Sequence, residues 1–202
     1  MRRIDIFSDG VFAIAITLLV LELAVPEGDV ENAGKALLEQ WPMYLAYVVS
    51  FASIGSAWLM HSLITEHLER TDSIFLRLNL LLLFFVSVVP FPTHMLSNFI
   101  HNPDAERIAA TVYGINLIAM AAVLSALWHY ARSEGLVKHE RDDAELQSIT
   151  RKLEPGLATY VAAILVGLLL PRAAVVLYGL IALYILIPFR AIKNWVRRGS
   201  RA

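Results

Sequence analysis

Residues 10–21 of the chain read GVFAIAITLLVL and lie between two carboxylates, Asp9 and Glu22. As a helix, this uncharged stretch is only about 18 Å long at ~1.5 Å per residue, whereas the hydrocarbon core of a bilayer is ~30 Å thick. A helix long enough to cross would bring Asp9, Glu22 or both toward the hydrocarbon, where a charge costs at least ~2.5 kcal/mol unless protein or water surrounds it. The first helix is therefore predicted to lie at the centre of an assembly, a position that favours a transport path.

The composition of the whole chain indicates a membrane protein. Hydrophobic residues make up 57% of the sequence and charged residues 17%, and the mean hydropathy is +0.60. We predict an all-α integral membrane protein with a single transmembrane domain over residues 1–202, no soluble domain, and six helices at about 4–25, 41–65, 75–100, 106–131, 154–170 and 172–190. The fifth helix has two interpretations, because its apolar core at residues 157–170 is short enough for a re-entrant segment, whereas Pro155 is suited to start a longer helix. The charged stretch before it, from about residue 132 to 153, is predicted to be a loop.

The distribution of Lys and Arg predicts how the chain is oriented, because these residues are retained on the cytoplasmic side. With six helices and both termini inside, 14 of the 17 basic residues lie in the cytoplasm, and only Lys35, Arg107 and Arg172 lie outside. We therefore expect a multi-pass protein of the cell membrane with both termini cytoplasmic. We interpret the first helix as a membrane helix and not as a cleaved signal peptide, since no small-residue cleavage site follows it. Basic residues near the end of the chain are further suited to anionic lipid: Arg190, Lys193, Arg197, Arg198 and Arg201.

The first helix carries a narrow apolar stripe. Ile14, Leu18 and Leu21 follow i, i+4, i+7 spacing, and Thr17 borders the same face. Spacing alone is also typical of ordinary packing in a membrane helix. On the helical wheel Asp9 lies about 140° from Ile14 and so points back into the subunit, whereas Glu22 lies about 80° from it, near an outer mouth. The loop that follows would make this mouth negative and concentrate cations, since Lys35 opposes four acidic residues, Glu27, Asp29, Glu31 and Glu39.

The residues of the first helix resemble a known family. Arg3, then Phe7-Ser8-Asp9, then AIAITLLVLEL closely resemble the first helix of the transmembrane protein 175 family of potassium channels. Later features resemble the family too: Trp58, His61, Asn79 and Pro90-Phe91-Pro92-Thr93. Beyond about residue 105, only the predicted helix count is similar. The chain length resembles that of prokaryotic members, which carry one six-helix repeat and assemble as tetramers, whereas animal members fuse two repeats and form dimers.

The resemblance implies a pore at the centre of four subunits, lined by their first helices. Carried over by position, Ile14 forms the narrowest ring, Leu18 and Leu21 form further rings toward the outside, and Thr17 offers hydroxyls beside Ile14. K⁺ would then pass the pore at Ile14 and Thr17. The Thr-Val-Gly-Tyr-Gly filter of classical potassium channels is absent from the sequence. Selection would therefore depend on dehydration at an apolar neck and would be softer than carbonyl coordination.

The Phe7-Ser8-Asp9 motif is predicted to be structural, because Asp9 points away from the proposed pore. A buried or half-buried carboxylate needs donors, and Arg3, Trp58 and His61 are suitable if the first two helices pack together. The alternative is that Ser8 and Asp9 simply cap the start of a helix.

Two classes of function remain open at this stage. The first is a homotetrameric, potassium-preferring cation channel, whose partners are K⁺, other monovalent cations and membrane lipid. The second is a cation/proton antiporter or another secondary carrier that uses Asp9 or Glu22 as the protonatable group. No nucleophile, base and orienting group can be assembled, so an enzyme is not expected. No cofactor and no nucleic-acid partner are predicted, and the absence of cysteine excludes disulfides and cysteine metal sites.

Overall fold

The computed structural model describes residues 2–23, 33–99, 102–138 and 143–187. These residues are helical apart from short connections and one isolated bridge between Leu68 and Val137. The helices are α1 (Arg2–Leu18), which continues as a 3-10 turn (Leu19–Glu22), α2 (Ala33–Glu39), α3 (Trp41–Glu66), α4 (Ser73–Val88), α5 (Pro90–Phe99), α6 (Pro103–Ser133), α7 (Asp143–Gly167) and α8 (Pro171–Leu186). The prediction of an all-α protein is confirmed for the described residues.

Four stretches are long and apolar enough to cross a membrane: Arg3–Glu22, Trp41–Glu66, Ser73–Phe99 and Asp104–Ser133. Two further apolar helices are shorter, Leu157–Gly167 and Pro171–Leu186. The prediction of six transmembrane helices therefore stays a prediction. Several predicted elements fall outside the described residues, namely the acidic residues Glu27, Asp29 and Glu31 of the outer loop and the basic residues from Arg190 onward.

The stretch from residue 132 to 153 differs from the loop that its charges indicated. Helix α7 begins at Asp143, so Pro155 lies within the helix and does not start it. The polar first half of α7 is amphipathic: Ile149 and Leu153, four residues apart, are both buried. Trp128 of α6 also donates a hydrogen bond from Nε1 to the α7 hydroxyl of Thr150, over 2.8 Å. The charged half of the helix is thus attached to the body of the protein.

The ends of two helices have clear local causes. Asp72 precedes α4 in an extended conformation and accepts hydrogen bonds from the backbone N–H groups of Ile74 and Phe75, which makes it the N-cap. At the end of α6, Gly135 has φ +60°, a left-handed conformation that glycine adopts without strain. This conformation lets the N–H of Leu136 reach back to the carbonyl of Ala131 at 2.8 Å, a Schellman motif that stops the helix.

The third predicted helix is broken in the structure between α4 and α5. Pro90 and Pro92 have no backbone N–H, so the helical hydrogen-bond ladder cannot continue through them. A buried hydroxyl cluster holds α5 after the break: Ser50 Oγ of α3 lies 2.7 Å from Thr93 Oγ1 of α5 and 3.0 Å from the hydroxyl of Tyr113 of α6. The two halves of this span are therefore fixed separately against the core.

Helices α3 and α6 lie at the centre of the subunit. Helix α3 contacts α1, α5, α6 and α8, and α6 contacts α4, α5, α7 and α8. The packing of α6 against α7 and α8 is close at Gly114, where a β-carbon would lie 2.3 Å from the Tyr178 hydroxyl and 2.6 Å from Ile164 Cγ1. Helix α1 packs on α3 and α4 at one side of this core, so a large part of its surface is left uncovered.

Candidate pore helix

Helix α1 has two faces of opposite environment. Phe12, Ala15 and Leu19 are at most 2% exposed and belong to the apolar core. The predicted stripe lies on the uncovered side, where Ile14 is 60%, Leu18 42% and Leu21 74% exposed. The same helix thus anchors itself with one face and presents the other, an apolar face, outward from the subunit.

Two residues beside Ile14 complete the description of this face. Thr17 is exposed and donates a hydrogen bond from Oγ1 to the backbone carbonyl of Ile14 over 2.9 Å. Because its hydrogen is used within the helix, the hydroxyl presents oxygen lone pairs outward. Ile16, in contrast, is half-buried and packs against the core. The outward face therefore combines an apolar stripe with a single oxygen acceptor, the hydroxyl of Thr17.

Asp9 is tied to the neighbouring helix α3. Trp58 donates a hydrogen bond from Nε1 to Asp9 Oδ1 over 2.8 Å, and both side chains are exposed in the isolated subunit. Arg3, predicted as another partner of this carboxylate, makes no hydrogen bond or ion pair within the described residues and is exposed. The alternative that Ser8 and Asp9 cap a helix start is wrong, because α1 already begins at Arg2.

A second connection runs through buried groups and does not include Asp9. Asn79 of α4 donates from Nδ2 to Ser8 Oγ over 3.0 Å, and its Oδ1 lies 2.8 Å from His61 Nε2 of α3. All three side chains are buried. The His61 ring also packs against Phe12 with 5.6 Å between ring centroids. His61 therefore supports α1 through Asn79, whereas the sequence prediction joined it to Asp9. Phe7, the first residue of the motif, is exposed.

The end of α1 away from the Asp9–Trp58 contact is held by a polar contact. Glu22, at the end of the 3-10 turn, pairs with His94 Nδ1 of α5. Glu22 therefore contacts its own subunit, and its place at an outer mouth stays a prediction. His94 Nε2 in turn lies 3.2 Å from Asn98 Nδ2. Polar contacts therefore fix α1 at both ends, and its middle is held by apolar packing alone.

The chain is closely similar to known channels. A family model described as the endosomal/lysosomal potassium channel TMEM175 matches residues 3–90. A potassium channel of Streptomyces collinus is 41% identical over 185 residues, which are 90% of this chain and 89% of that protein. The chain belongs to the TMEM175 family. A TMEM175 relative from Chamaesiphon minutus, also named a potassium channel, is 46% identical over 165 residues, 80% of this chain and 81% of that protein.

A solved TMEM175 structure has the same fold. The crystal structure of a lysosomal potassium-selective channel TMEM175 homolog from Chamaesiphon minutus superposes with a TM-score of 0.81 at 39% identity, over 91% of this chain and 94% of that one. Membership of TMEM175 makes this chain a membrane protein of an ion-channel family, a class that is generally not enzymatic. The resemblance read from Arg3, Phe7-Ser8-Asp9 and the first apolar helix is confirmed.

Two residues of the site were missed or underestimated by sequence reasoning. Asn79 was noted only as part of the resemblance, and its role as the bridge between Ser8 and His61 depends on packing of α1, α3 and α4. The contact of His94 also depends on packing, because its partner Glu22 lies 72 positions earlier in the chain. A polar residue inside an apolar stretch, as Asn79 is within FLRLNLLLL, was the available signal for a buried partner.

Proposed function

We propose that the protein is a potassium-preferring cation channel in which the α1 helices of four copies surround one central pore. The observation that supports this most strongly is the outward apolar face of α1, formed by Ile14, Leu18 and Leu21. One subunit presents this face away from its own core, so a closed path needs several copies arranged around an axis. The relatives named potassium channels support K⁺ as the permeant ion.

The character of this face favours a pore over simple contact with lipid. Thr17 lies within it and directs oxygen lone pairs outward. Asp9 and Glu22 lie near the two ends of the helix, outside the apolar stripe, and each contacts a neighbouring helix of its own subunit. A helix flanked so closely by carboxylates is costly in hydrocarbon but suited to a path that opens to water at both ends.

The proposed constriction is the ring of four Ile14 side chains. An apolar ring at this point offers no substitute for the water around an ion, so passage requires partial dehydration. K⁺ holds its water less tightly than Na⁺ and is therefore favoured. Four Thr17 hydroxyls next to the ring replace part of the water that the ion loses. Leu18 and Leu21 extend the narrow section outward. Selectivity obtained in this way is expected to be modest.

The proposed topology uses all six apolar segments as membrane crossings, with α4 and α5 forming one crossing and the apolar part of α7 and α8 the last two. Both chain termini then lie in the cytoplasm of a cell-membrane protein, as the distribution of basic residues indicates. The start of α1 and the end of α3 share the cytoplasmic side, and the Glu22–His94 pair lies outside.

The assembly is tested directly by mass. Purified full-length protein, released from detergent in a native mass measurement, is expected to show four copies. Chemical crosslinking should give products of up to four subunits and no larger. A conducting species that contains one or two copies would contradict the proposal, because neither closes a ring of α1 helices of this kind.

The constriction is tested by replacing Ile14 and, as a matched control, Ile16. Ile14→Asn places four amides where water is otherwise stripped, so we expect larger currents and weaker discrimination between K⁺ and Na⁺. Ile16→Asn should reduce the yield of assembled protein and leave selectivity unchanged, because Ile16 packs against the core. Reversal potentials under bi-ionic K⁺/Na⁺ conditions in planar bilayers measure the ion selectivity of both variants. Unchanged selectivity in Ile14→Asn, or flux without unitary current steps, would contradict the proposal.

A further inference from the structure

A polar cavity lies beside the start of α1, away from the apolar face. Its volume is ≈ 220 Å³, and its described lining consists of Asp5 and Asp9 of α1 together with a group from the last part of α3: His61, Ser62, Thr65 and Glu66. Three of these six side chains are carboxylates, and none of the described lining residues is Lys or Arg. The proposed pore does not use this cavity.

The hydrogen bonds around His61 determine what its ring presents to the cavity. Asn79 uses its amide group as donor to Ser8, so its Oδ1 accepts from His61, whose Nε2 must carry the hydrogen. Nδ1 of the neutral ring is then a lone-pair acceptor. His61 is 2% exposed, and its Nδ1 has no hydrogen-bond partner among the described residues. A buried acceptor left in this way is satisfied by a donor that enters the cavity, such as water or the water around an ion.

Three other lining residues, Asp5, Asp9 and Thr65, offer acceptors as well. Asp5 Oδ1 is buried and also has no partner among the described residues. Trp58 occupies one oxygen of Asp9 and leaves the other available. Thr65 donates its hydroxyl hydrogen to the carbonyl of Ser62 over 3.2 Å, so its oxygen too faces the cavity as an acceptor. The cavity thus combines negative charge with a surplus of acceptors, which matches a cation that carries its own hydrogen-bond donors.

The size of the cavity indicates that this cation keeps its water. The space is large enough for several water molecules. Within the described residues, no group of three or more His, Asp or Glu side chains converges closely enough to coordinate a bare metal ion. Mg²⁺ loses water reluctantly and is usually held through one or two carboxylates with several waters retained. The donors that His61 Nδ1 and Thr65 Oγ1 lack would be supplied by those waters.

We propose that this cavity binds a hydrated divalent cation of the Mg²⁺ class, off the conduction path, between the start of α1 and the end of α3. Asp5 and Glu66 provide the charge from the two helices, and His61 accepts a hydrogen bond from a metal-bound water. Bound there, the ion joins the proposed pore helix to α3 at the end that the Asp9–Trp58 contact also fixes.

The experiment is a calorimetric titration of the purified full-length channel in detergent with Mg²⁺ at constant KCl. We expect one saturable site per subunit, and we expect competition by cobalt(III) hexaammine, which cannot exchange its ligands and so binds only through its outer hydrogens. Asp5→Asn and Glu66→Gln should each weaken Mg²⁺ binding at least tenfold. The matched control is Glu69→Gln, since Glu69 is exposed just beyond α3 and does not line the cavity.

Three results would overturn the proposal. These are the absence of a saturable Mg²⁺ site in the wild-type protein, a failure of cobalt(III) hexaammine to compete, and an equal loss of affinity in Glu69→Gln, which would indicate general surface screening. The competition arm needs no variant, so it decides the matter even if a substitution at Asp5 prevents assembly.

Discussion

At the scale of single residues, Asn79 joins three helices through its side chain. It is buried on α4 and satisfies Ser8 of α1 and His61 of α3 at the same time. Inside a membrane protein an unsatisfied buried polar group costs roughly 1 to 3 kcal/mol, and one substitution at Asn79 leaves two such groups. The position of the motif serine thus depends on a residue on another helix.

This role gives a stability prediction. Asn79→Leu, which keeps the branched shape of the side chain and removes both hydrogen bonds, should lower the stability of the assembled protein by roughly 2 kcal/mol or more and reduce its yield. Thermal unfolding followed by size-exclusion chromatography measures the loss. The control is Asn98→Leu on the exposed side of α5, which should be much milder. Equal losses in the two variants would show that the bridge contributes nothing specific.

The contacts of Asp9 illustrate what sequence reasoning reaches at this scale. The pairing of Asp9 with Trp58 was predicted and is present at 2.8 Å, because a carboxylate near a membrane helix must find a donor and the resemblance indicated which helix supplies it. The bridge through Asn79 and the Glu22–His94 pair depend on how three helices are rotated against one another. Rotation is set by packing of the whole core and has no local signature in the chain.

At the scale of elements, the apolar helices were easier to predict from the sequence than the charged one. Long apolar runs located α1, α3 and α6 to within a few residues of the predictions. The first half of α7 was missed because its charges obscured a short apolar stripe, Ile149 and Leu153, that faces the core. The two prolines of the third predicted span were present in the sequence, and their effect on the hydrogen-bond ladder explains the break before α5.

The start of α4 is an element whose stability depends on pH. Asp72 caps the helix, and the Tyr130 hydroxyl, followed by the backbone N–H of Phe75, lowers the pKa of this carboxyl below its ordinary value. A carboxyl with a lowered folded-state pKa contributes stability that is fully present above the unfolded pKa, near pH 4, and is lost as pH falls through the folded pKa.

Tyr130→Phe removes the largest of these causes. We expect a lower melting temperature than wild type at pH 6 to 8, and a difference that shrinks as the pH falls below about 4, where Asp72 becomes protonated in both proteins. Melting curves of the detergent-solubilised protein across this range test it. Tyr44→Phe is the control, because the Tyr44 hydroxyl has no partner among the described residues. A difference that is constant with pH would contradict the assignment.

At the scale of the whole molecule, the subunit is asymmetric, and the proposed assembly gives a reason for it. Helices α3 and α6 are enclosed by their neighbours, whereas α1 lies at one side with an apolar face uncovered. The sequence was enough to predict membership of a channel family. The Phe7-Ser8-Asp9 motif that indicated it lies within residues 3–90, which the family model matches. How many subunits meet at this face is a property of the assembly and cannot be derived from one chain.

The central claim is that Ile14 forms the narrowest ring of a pore made by α1. The chain has no cysteine, so Ile14→Cys gives each subunit a single thiol. Four thiolates on a narrow ring form a soft site that binds Cd²⁺. The account predicts that micromolar Cd²⁺ blocks K⁺ currents of Ile14→Cys and that a chelator restores them, while wild type and Ile16→Cys are unaffected. Block of Ile16→Cys with no effect on Ile14→Cys would contradict the account and assign the pore to the other face of α1.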